Sequence, residues 1–365
     1  MVLSSNVPVH DIAKIYPPKG YLTLEQYKVA HKQSIEDPKW YWGEKAKEHL
    51  SWFIPFEHVL EGGFEHGDVR WFTGGKLNMS YNCLDRHVSS KKANHIALVW
   101  EGDEPDDIKK FTYEELLRKV CQIANALKRM GVQKGDVVTV YMPMIPELAM
   151  CMLACTRIGA VHSVVFAGFS AEALAQRISA AQSKFLLTAD IGRRGGKSIP
   201  LKDIVNEALT KLDCADVVQH VMVWERFYQG EEAPAPYEML DKDVRMDPLV
   251  AVQRPYCPPE YMDSEDNLFI LYTSGSTGKP KGLLHTTGGY ALFAKMTTKV
   301  TFDLAPGDLF ACVADCGWIT GHTYVVYGPL LNGSTTFMFE STPLYPNEGR
   351  YWDSLGKIRS YESSK

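Results

Sequence analysis

Residues 272–282 read YTSGSTGKPKG and directly follow the apolar run NLFIL of residues 267–271. The eleven residues contain three glycines, four serines or threonines and two lysines. Glycine allows positive φ and a close approach of the backbone to a ligand, and exposed amides in such a loop form an anion-binding concavity. The alternative is a Gly/Ser turn with solvated lysines. The hydroxyls and positive charge, placed at the end of an apolar strand, favour a loop that binds a polyphosphate.

The loop does not fit the Walker A pattern G-x-x-x-x-G-K-[ST]. Only two residues separate Gly275 from Gly278, and Pro280 follows Lys279. Proline has neither an N–H nor the hydroxyl that would bind Mg²⁺, which disfavours a P-loop kinase or GTPase. The residues predicted to bind the ATP phosphates are Thr273, Ser274, Gly275, Ser276, Thr277, Gly278, Lys279 and Lys281.

Helical and strand patterns alternate on both sides of this loop. Residues 112–131 have apolar residues at helical spacing, a capping box at Thr112 and Glu115, and a terminating Gly131. The run DVVTVYM (136–142) is typical of a parallel strand covered on both faces. Further helices are predicted at about 146–158, 170–181, 201–212, 290–298 and 323–331, and further strands at IALVW, VHSVVF, KFLLTA, HVMVW, DLFACVA and TTFMF. The alternation predicts an α/β fold with largely parallel sheets flanked by helices.

Three segments are predicted along the chain. Residues 1–95 form an N-terminal arm and entry segment, whose first forty residues are expected to be irregular and to lie on the main body. Residues 96–262 form a first α/β subdomain, and residues 263–365 begin a second one that carries the phosphate loop. The acidic stretch EGDEPDDIKK (101–110) is predicted to be a solvated loop.

Composition narrows the class of protein. The 365 residues are 45% hydrophobic and 23% charged, as in ordinary globular proteins. A net charge of −5 disfavours a general nucleic-acid binder. No apolar run is long enough to cross a bilayer, the N-terminus lacks a signal-peptide core, and eight scattered cysteines predict buried free thiols in a reducing compartment. We expect a cytoplasmic protein with small-molecule partners and no nucleic-acid or membrane partner; the oligomeric state is left open.

The loop matches the pattern [ST]-S-G-[ST]-T-G-x-P-K-G at every position. It therefore resembles the phosphate loop of the adenylate-forming superfamily, which includes acyl-CoA synthetases, luciferases and peptide-synthetase adenylation domains. Five further stretches resemble AMP-forming acetyl-CoA synthetases: WFTGGKLNMSYNCLDRH (71–87), VVFAGFS (164–170), RRGGK (193–197), LLHTTGGY (283–290) and DCGWITGHTYVVYGPLLNGSTTFMFE (315–340). The similarity runs from about residue 16 to about residue 350, and the chain is identified as a member of this family.

The resemblance implies acetate–CoA ligase activity with ATP, Mg²⁺ and coenzyme A. In such enzymes acetate attacks the α-phosphate of ATP to give acetyl-adenylate and pyrophosphate, and the CoA thiol then displaces AMP. The implied CoA-binding residues are Arg194, Gly195, Gly196, Lys197 and Thr320, and the implied acyl-pocket residues are Trp318, Ile319 and Thr320. The glycines would let the backbone approach the nucleotide, and the cations would pair with phosphate oxygens. Taken alone, RGGK fits a solvated turn, and Trp318 fits a core tryptophan at a strand–helix junction.

Two positions bear on the acyl group and on CoA. Relatives that prefer propionate tend to carry valine where Thr320 stands, so Thr320 favours acetate. That preference is mild, because one methylene in an apolar pocket changes discrimination by about 1–3 kcal/mol. Leu344 stands where bacterial members carry an asparagine near CoA, so no CoA contact is assigned to it.

Several polar residues are expected to be structural. His162 and His322 are predicted to be packed or hydrogen-bonded histidines. The run from Asp85 to His87 is interpreted as part of a structural ion pair, because no G-x-S-x-G motif or partner serine supports a hydrolytic triad.

The family's adenine motif G-E-P, its W-W-Q-T-E-T-G stretch, its ribose-binding aspartate and its C-terminal lid domain with the catalytic lysine are not found. We therefore expect an incomplete N-terminal fragment in which no catalytic residue and no metal ligand is assigned. The alternatives to an acetate–CoA ligase are a propionyl-CoA or other short-chain acyl-CoA synthetase, and a non-catalytic truncated remnant.

Overall fold

The computed structural model describes residues 22–226, 237–273 and 280–362, with side chains described up to residue 357. The helices are α1 Leu24–Glu36, α2 Pro38–His49, α3 Met79–Cys83, α4 Asp85–His87, α5 Tyr113–Arg129, α6 Pro146–Ile158, α7 Ala171–Ala181, α8 Leu201–Leu209, α9 Cys214–Val217, α10 Met246–Ala251, α11 Thr287–Thr301, α12 Ile319–Gly321, α13 Gly328–Leu331 and α14 Arg350–Glu362. Two π-helical turns, Val88–Lys92 and His322–Tyr327, adjoin α4 and α12.

The strands form two larger sheets and three pairs or short ribbons. They are β1 His58–Glu61, β2 Arg70–Thr73, β3 Lys76–Leu77, β4 Ile96–Glu101, β5 Ile108–Thr112, β6 Val137–Tyr141, β7 Val161–Val164, β8 Phe185–Ala189, β9 Gly192–Arg194, β10 Lys197–Ile199, β11 His220–Trp224, β12 Asp243–Arg245, β13 Met262–Asp263, β14 Asn267–Thr273, β15 Lys281–Thr286, β16 Leu309–Ala311 and β17 Thr335–Phe339.

The larger sheet has seven strands in the order β12-β11-β8-β6-β7-β14-β15. Every neighbouring pair is parallel except the β14–β15 hairpin, which is antiparallel and closes one edge. Strands β7 and β8 are buried throughout, as expected when helices cover both faces of a parallel sheet. The predicted α/β fold with a largely parallel sheet is confirmed.

Helix α5 illustrates how local sequence sets the boundaries. Thr112 and Glu115 form the predicted capping box, and each side chain bonds the other residue's backbone amide. The apolar side chains at helical spacing are buried, and Gly131 follows the helix end with φ of 95°. Helix α6 packs against α5 and is buried on nearly every side, so it lies at the centre of the core.

The second sheet has the order β16-β17-β4-β5, with only β4–β5 antiparallel. It therefore joins strands from residues 96–112 to strands from residues 309–339. The larger sheet likewise joins β14 to β7, across the predicted segment boundary after residue 262. Apolar side chains from both sheets, such as Trp100 and Val138, belong to one contiguous core. The three-segment division thus cuts through both sheets, and it remains a prediction about the chain's organisation.

The prediction of a solvated loop at 101–110 is wrong in part: residues 102–107 form a turn with Glu104 and Asp106 exposed, but its flanks are strands and its first acidic residues are buried. Strand β5 begins at Ile108 and pairs with β4. Glu101 and Asp103 are buried, with 1% and 3% of their surface exposed. Glu101 forms a buried ion pair with Arg350. Partners this distant in the sequence cannot be inferred from the local acidic composition.

The N-terminal region also differs from the irregular arm that the composition indicated. Residues 24–49 form the helices α1 and α2, while residues 1–21 lie outside the described residues. Thr23 and Gln26 form a capping box for α1, and Asp37 caps α2 with Pro38 in its first turn. These short capping signals outweigh the polar composition. No residue of α1 is buried.

The residues predicted to be structural are indeed packed. His162 and His322 are both fully buried, and His162 Nε2 is hydrogen-bonded to the Tyr327 hydroxyl. Asp85 forms a two-bond ion pair with buried Arg157, at 2.8 and 2.9 Å. All eight cysteines are free, and seven of them are buried. No helix among the described residues has the length and apolar character needed to cross a membrane.

Candidate functional site

The phosphate-loop sequence joins two antiparallel strands at the edge of the larger sheet. Strand β14 ends at Thr273, strand β15 begins at Lys281, and these two exposed residues face each other across the hairpin. A strand follows the loop, whereas a Walker A loop opens a helix, which agrees with the exclusion of a P-loop. The other predicted phosphate-binding residues, namely Ser274, Gly275, Ser276, Thr277, Gly278 and Lys279, lie outside the described residues.

A buried cation lies beside the strand that leads into this loop. The Arg177 guanidinium is 4.5 Å from the Phe169 ring centroid and 5.9 Å from the Tyr272 ring centroid. Its Nη1 donates to the Ala173 carbonyl at 2.7 Å. Burial lowers the pKa of Arg177. Sequence reasoning did not single out Arg177, because its position on an amphipathic helix gave no sign of the strand it would contact.

The RGGK sequence forms the turn of a small hairpin between β9 and β10, in which Arg194 pairs with Lys197. Both side chains are exposed. Gly195 and Gly196 have φ of 63° and 75°, a backbone region that favours glycine. Their amides donate to the buried carboxylate of Asp103, so these N–H groups do not face an open ligand site.

Phe166 connects this turn with the GWITGH stretch. The Arg194 guanidinium lies 5.6 Å from the Phe166 ring centroid, and the Trp318 ring centroid lies 4.8 Å from it. Gly317 makes this approach possible, because a Cβ there would come within 2.9 Å of the Phe166 Cβ. Two motifs 124 residues apart, at Arg194 and Trp318, therefore converge on one aromatic ring. Phe166 belongs to the VVFAGFS stretch, but the sequence gave no reason to prefer it over its neighbours.

A cleft of about 160 Å³ opens between these elements. It is lined by Arg193, Arg194, Phe166, Asp315, Glu340 and Ser341, together with apolar residues in or after strands of both sheets, such as Met144 and Phe339. Burial raises the pKa of Asp315, although its carboxylate accepts a hydrogen bond from the Gly317 amide at 2.7 Å. Burial also raises the pKa of Glu340. The Arg226 guanidinium, which donates two hydrogen bonds to the Glu340 carboxylate, lowers that pKa but does not cancel the rise. The cleft thus combines the exposed side chain of Arg194 with two hydrogen-bonded carboxylates, the half-buried one of Asp315 and the buried one of Glu340.

The predicted acyl-pocket residues lie on the surface of the described chain. Trp318 is 48% exposed and Ile319 is 41% exposed, and Thr320 is exposed as well. The alternative of a core tryptophan at Trp318 is therefore wrong. Ile319 lines a separate apolar groove of about 700 Å³, together with His285 and Tyr290. Trp318 faces Phe166 and is not part of that groove's lining.

Metal-binding geometry is not found in the described part of the chain. There, no group of three or more His, Cys, Asp or Glu side chains is placed to hold a metal ion.

Comparison with protein families settles the class. Residues 84–360 match the family of AMP-binding enzymes, and residues 27–83 match the N-terminal segment of acetyl-coenzyme A synthetases. The chain belongs to the AMP-binding enzyme family. Within this family, the N-terminal match confirms the resemblance to AMP-forming acetyl-CoA synthetases that the motifs indicated.

Several curated acetyl-coenzyme A synthetases are similar to this AMP-binding enzyme chain. That of Phycomyces blakesleeanus is 53% identical over 92% of the chain and 49% of the relative. That of Dictyostelium discoideum is 48% identical over 93% of the chain and 50% of the relative. Acetyl-coenzyme A synthetase 2 of Pseudomonas aeruginosa is 50% identical over 96% of the chain and 53% of the relative. The chain spans about half the length of the curated relatives it matches.

Proposed function

We propose that the protein is an acetate–CoA ligase, which activates acetate with ATP to acetyl-adenylate and transfers the acetyl group to coenzyme A, releasing AMP and pyrophosphate. One observation carries this proposal beyond family membership. The RGGK turn and the GWITGH stretch, assigned separately to CoA and to the acyl group, meet at Phe166. A ligand that extends from one motif to the other would suit CoA, whose nucleotide and thiol lie at opposite ends of the molecule.

For the first half-reaction, we assign the ATP phosphates to the loop between Thr273 and Lys281. The lysines and hydroxyls of residues 273–281 would stabilise the negative charge that develops on the departing pyrophosphate. Mg²⁺ would enter as the ATP complex, because it is commonly held by substrate phosphates in such sites. The chain's contribution to this step is electrostatic and positional.

For the second half-reaction, we assign the CoA nucleotide to the exposed side chains of Arg194 and Lys197. A guanidinium forms charge-assisted, two-pronged hydrogen bonds with phosphate, and the half-buried aromatic ring of Phe166, which lines the cleft beside Arg194, offers a stacking face for a purine. Gly195 and Gly196 would then shape the turn and not bind CoA directly, because their amides donate hydrogen bonds to Asp103. Thr320 would offer its hydroxyl to the pantetheine arm. Trp318 and Ile319 stay proposed for the acyl pocket, and in the described chain they face different surfaces, the Phe166 ring and the apolar groove at Tyr290.

We further propose a cytoplasmic location and small-molecule partners only. The eight free cysteines support a reducing compartment. The net charge of −5 disfavours general nucleic-acid binding.

Acetate-dependent ATP–pyrophosphate exchange tests the proposal on this chain, with propionate and a no-acid reaction alongside. We expect exchange that is faster with acetate than with propionate. Preferential exchange with propionate would support the alternative of a propionyl-CoA synthetase. A folded chain that shows no exchange and binds neither ATP nor CoA would contradict the site assignments and support the non-catalytic remnant.

A further inference from the structure

The RGGK turn is attached to a residue from the opposite sheet. Asp103 follows the carboxyl end of β4, which belongs to the four-stranded sheet, whereas the β9–β10 hairpin follows β8 of the seven-stranded sheet. The Gly195 amide donates to Asp103 Oδ1 and the Gly196 amide donates to Asp103 Oδ2, each at 2.7 Å. Asp103 is 3% exposed. One carboxylate thus holds both central amides of an exposed turn.

A second contact fixes the carboxylate itself. The Ser341 hydroxyl donates to Asp103 Oδ1 at 2.6 Å, and Ser341 follows β17, the neighbour of β4. Successive amides in such a turn form a concavity that binds anions. Here the anion is a side chain of the protein, so the concavity is filled before any ligand arrives.

The loop after β17 also restricts the position of the RGGK turn. A Cβ at Gly196 would come within 2.7 Å of the Tyr345 ring. A Cβ at Gly195 would meet only ordinary contacts, the nearest at 3.5 Å from Thr342. The turn therefore lies against this loop on one side and against Asp103 on the other, and its exposed side chains, Arg194 and Lys197, extend outward.

We propose that Asp103 is a positioning residue for the coenzyme A nucleotide. By holding the amides of Gly195 and Gly196, it fixes the turn that presents Arg194 and Lys197 to phosphate groups, although it does not touch the ligand itself. The turn's ligand recognition then comes from the cationic side chains and not from the glycine amides. This inference rests on the proposed function, in which this turn binds CoA.

The test uses the Asp103→Asn variant of the 365-residue chain. The carboxamide oxygen accepts one glycine amide, but its NH₂ group faces the other N–H, so the turn loses one of its two anchors. Hydrogen exchange at the Gly195 and Gly196 amides is expected to become at least about tenfold faster, while exchange in α5 stays unchanged. Binding of CoA and of adenosine 3′,5′-bisphosphate, measured by calorimetry, is expected to weaken by about tenfold or more. ATP binding is expected to remain unchanged.

Asp106→Asn is the matched control. It removes one carboxylate from the same loop, but Asp106 is exposed and pairs with Lys357. We expect no change in glycine-amide exchange or in CoA binding. If the Asp103 variant does not fold, Gly196→Ala is used in its place, because the added Cβ collides with the Tyr345 ring and disturbs the turn. Glycine-amide exchange and CoA affinity are then measured in the same way.

The outcomes separate this inference from the proposed function. If wild-type chain binds CoA and the Asp103 variant binds it equally well, the positioning role is wrong and the proposed CoA site stands. If exchange accelerates but CoA and bisphosphate affinities do not change, Asp103 serves the fold alone and the inference is again overturned. If wild-type chain binds neither CoA nor the bisphosphate, the proposed CoA site itself is wrong, and the inference falls with it.

Discussion

Two glycine-containing hairpins of this protein, β14–β15 and β9–β10, are held in different ways. The β14–β15 hairpin carries the phosphate-loop sequence and belongs to the seven-stranded sheet, so strand pairing continues up to Thr273 and Lys281. The β9–β10 hairpin has only three residues in each strand and forms a sheet of its own. Its turn depends on the carboxylate of Asp103, which is 92 residues away from Gly195. The β9–β10 turn is therefore held by a distant side chain, whereas the β14–β15 strands are held by pairing within a large sheet.

Loss of the phosphate-loop charges should have the largest effect. Replacing Lys279 and Lys281 with alanine removes the cations assigned to the ATP phosphates. In a protein that catalyses pyrophosphate exchange, we expect the exchange rate to fall by about 100-fold or more, because charge stabilisation of the leaving group is lost. CoA binding should be unchanged. Wild-type exchange in this variant would show that the hairpin does not bind the phosphates.

Removal of the Phe166 ring should act on the other hairpin. Phe166→Ala deletes the surface that both Arg194 and Trp318 contact. We expect CoA to bind about tenfold more weakly, since stacking on an aromatic ring contributes about 1–3 kcal/mol per base. Phe64→Ala is the control, because Phe64 is 88% exposed and does not line the cleft. Equal CoA affinities in the two variants, measured by calorimetry, would rule out Phe166 as a stacking surface.

The carboxylate that precedes the β9–β10 hairpin should make stability depend on pH. Burial raises the pKa of Asp190 to about 6, against an unfolded value of 3.8. Its stabilising contribution is therefore complete below pH 3.8 and is lost as the pH rises through 6. Between pH 4 and pH 7 we expect wild type to lose on the order of 2 kcal/mol relative to Asp190→Asn, whose amide oxygen can still accept the Ile191 and Arg226 amides.

Urea denaturation at several pH values measures this difference. The comparison is between the two proteins at each pH, so that the titration of other groups cancels. A stability difference that does not vary between pH 4 and pH 7 would mean that Asp190 does not titrate in this range.

A smaller effect is expected from the buried cation beside the phosphate-loop hairpin. Arg177→Met keeps a long side chain against Phe169 and Tyr272 but removes the charge. We expect ATP to bind about two- to fivefold more weakly, because a cation–π contact of a partly buried cation contributes about 1 kcal/mol. Arg129→Met, at an exposed helix end, should leave ATP binding unchanged. If Arg177→Met changed the affinity for CoA but not that for ATP, the assignment of Arg177 to the phosphate-loop hairpin would be wrong.

The features that could be predicted from the sequence are those set by neighbouring residues, and some of the features that were missed depend on distant partners. The strand before the phosphate loop, the capping box at Thr112 and the buried run of β6 are local patterns, and each was predictable. The burial of Asp103 was not, because an acidic stretch has the composition of a solvated loop and its partners lie about 90 and 240 residues further along the chain. Helices α1 and α2 were missed because their signals are short capping residues in a polar segment.

The residues of the candidate site could be predicted from local motifs, but their contacts could not. The family motifs identified Arg194 and Trp318, but no local pattern indicated that both would contact Phe166. That contact depends on how β9 is placed relative to the segments that follow β7 and β16, and these come from both sheets. A single sequence contains the residues of this arrangement without indicating their proximity.

The central claim is that the two hairpins serve different ligands, and calorimetric titration of two double variants tests it most directly. Each variant of the 365-residue chain, Lys279→Ala with Lys281→Ala and Arg194→Ala with Lys197→Ala, is titrated with ATP and with CoA. We predict reciprocal losses: the first variant loses affinity for ATP and keeps that for CoA, and the second does the opposite. If both variants lose both ligands equally, or neither loses either, the assignment of one ligand to each hairpin is contradicted.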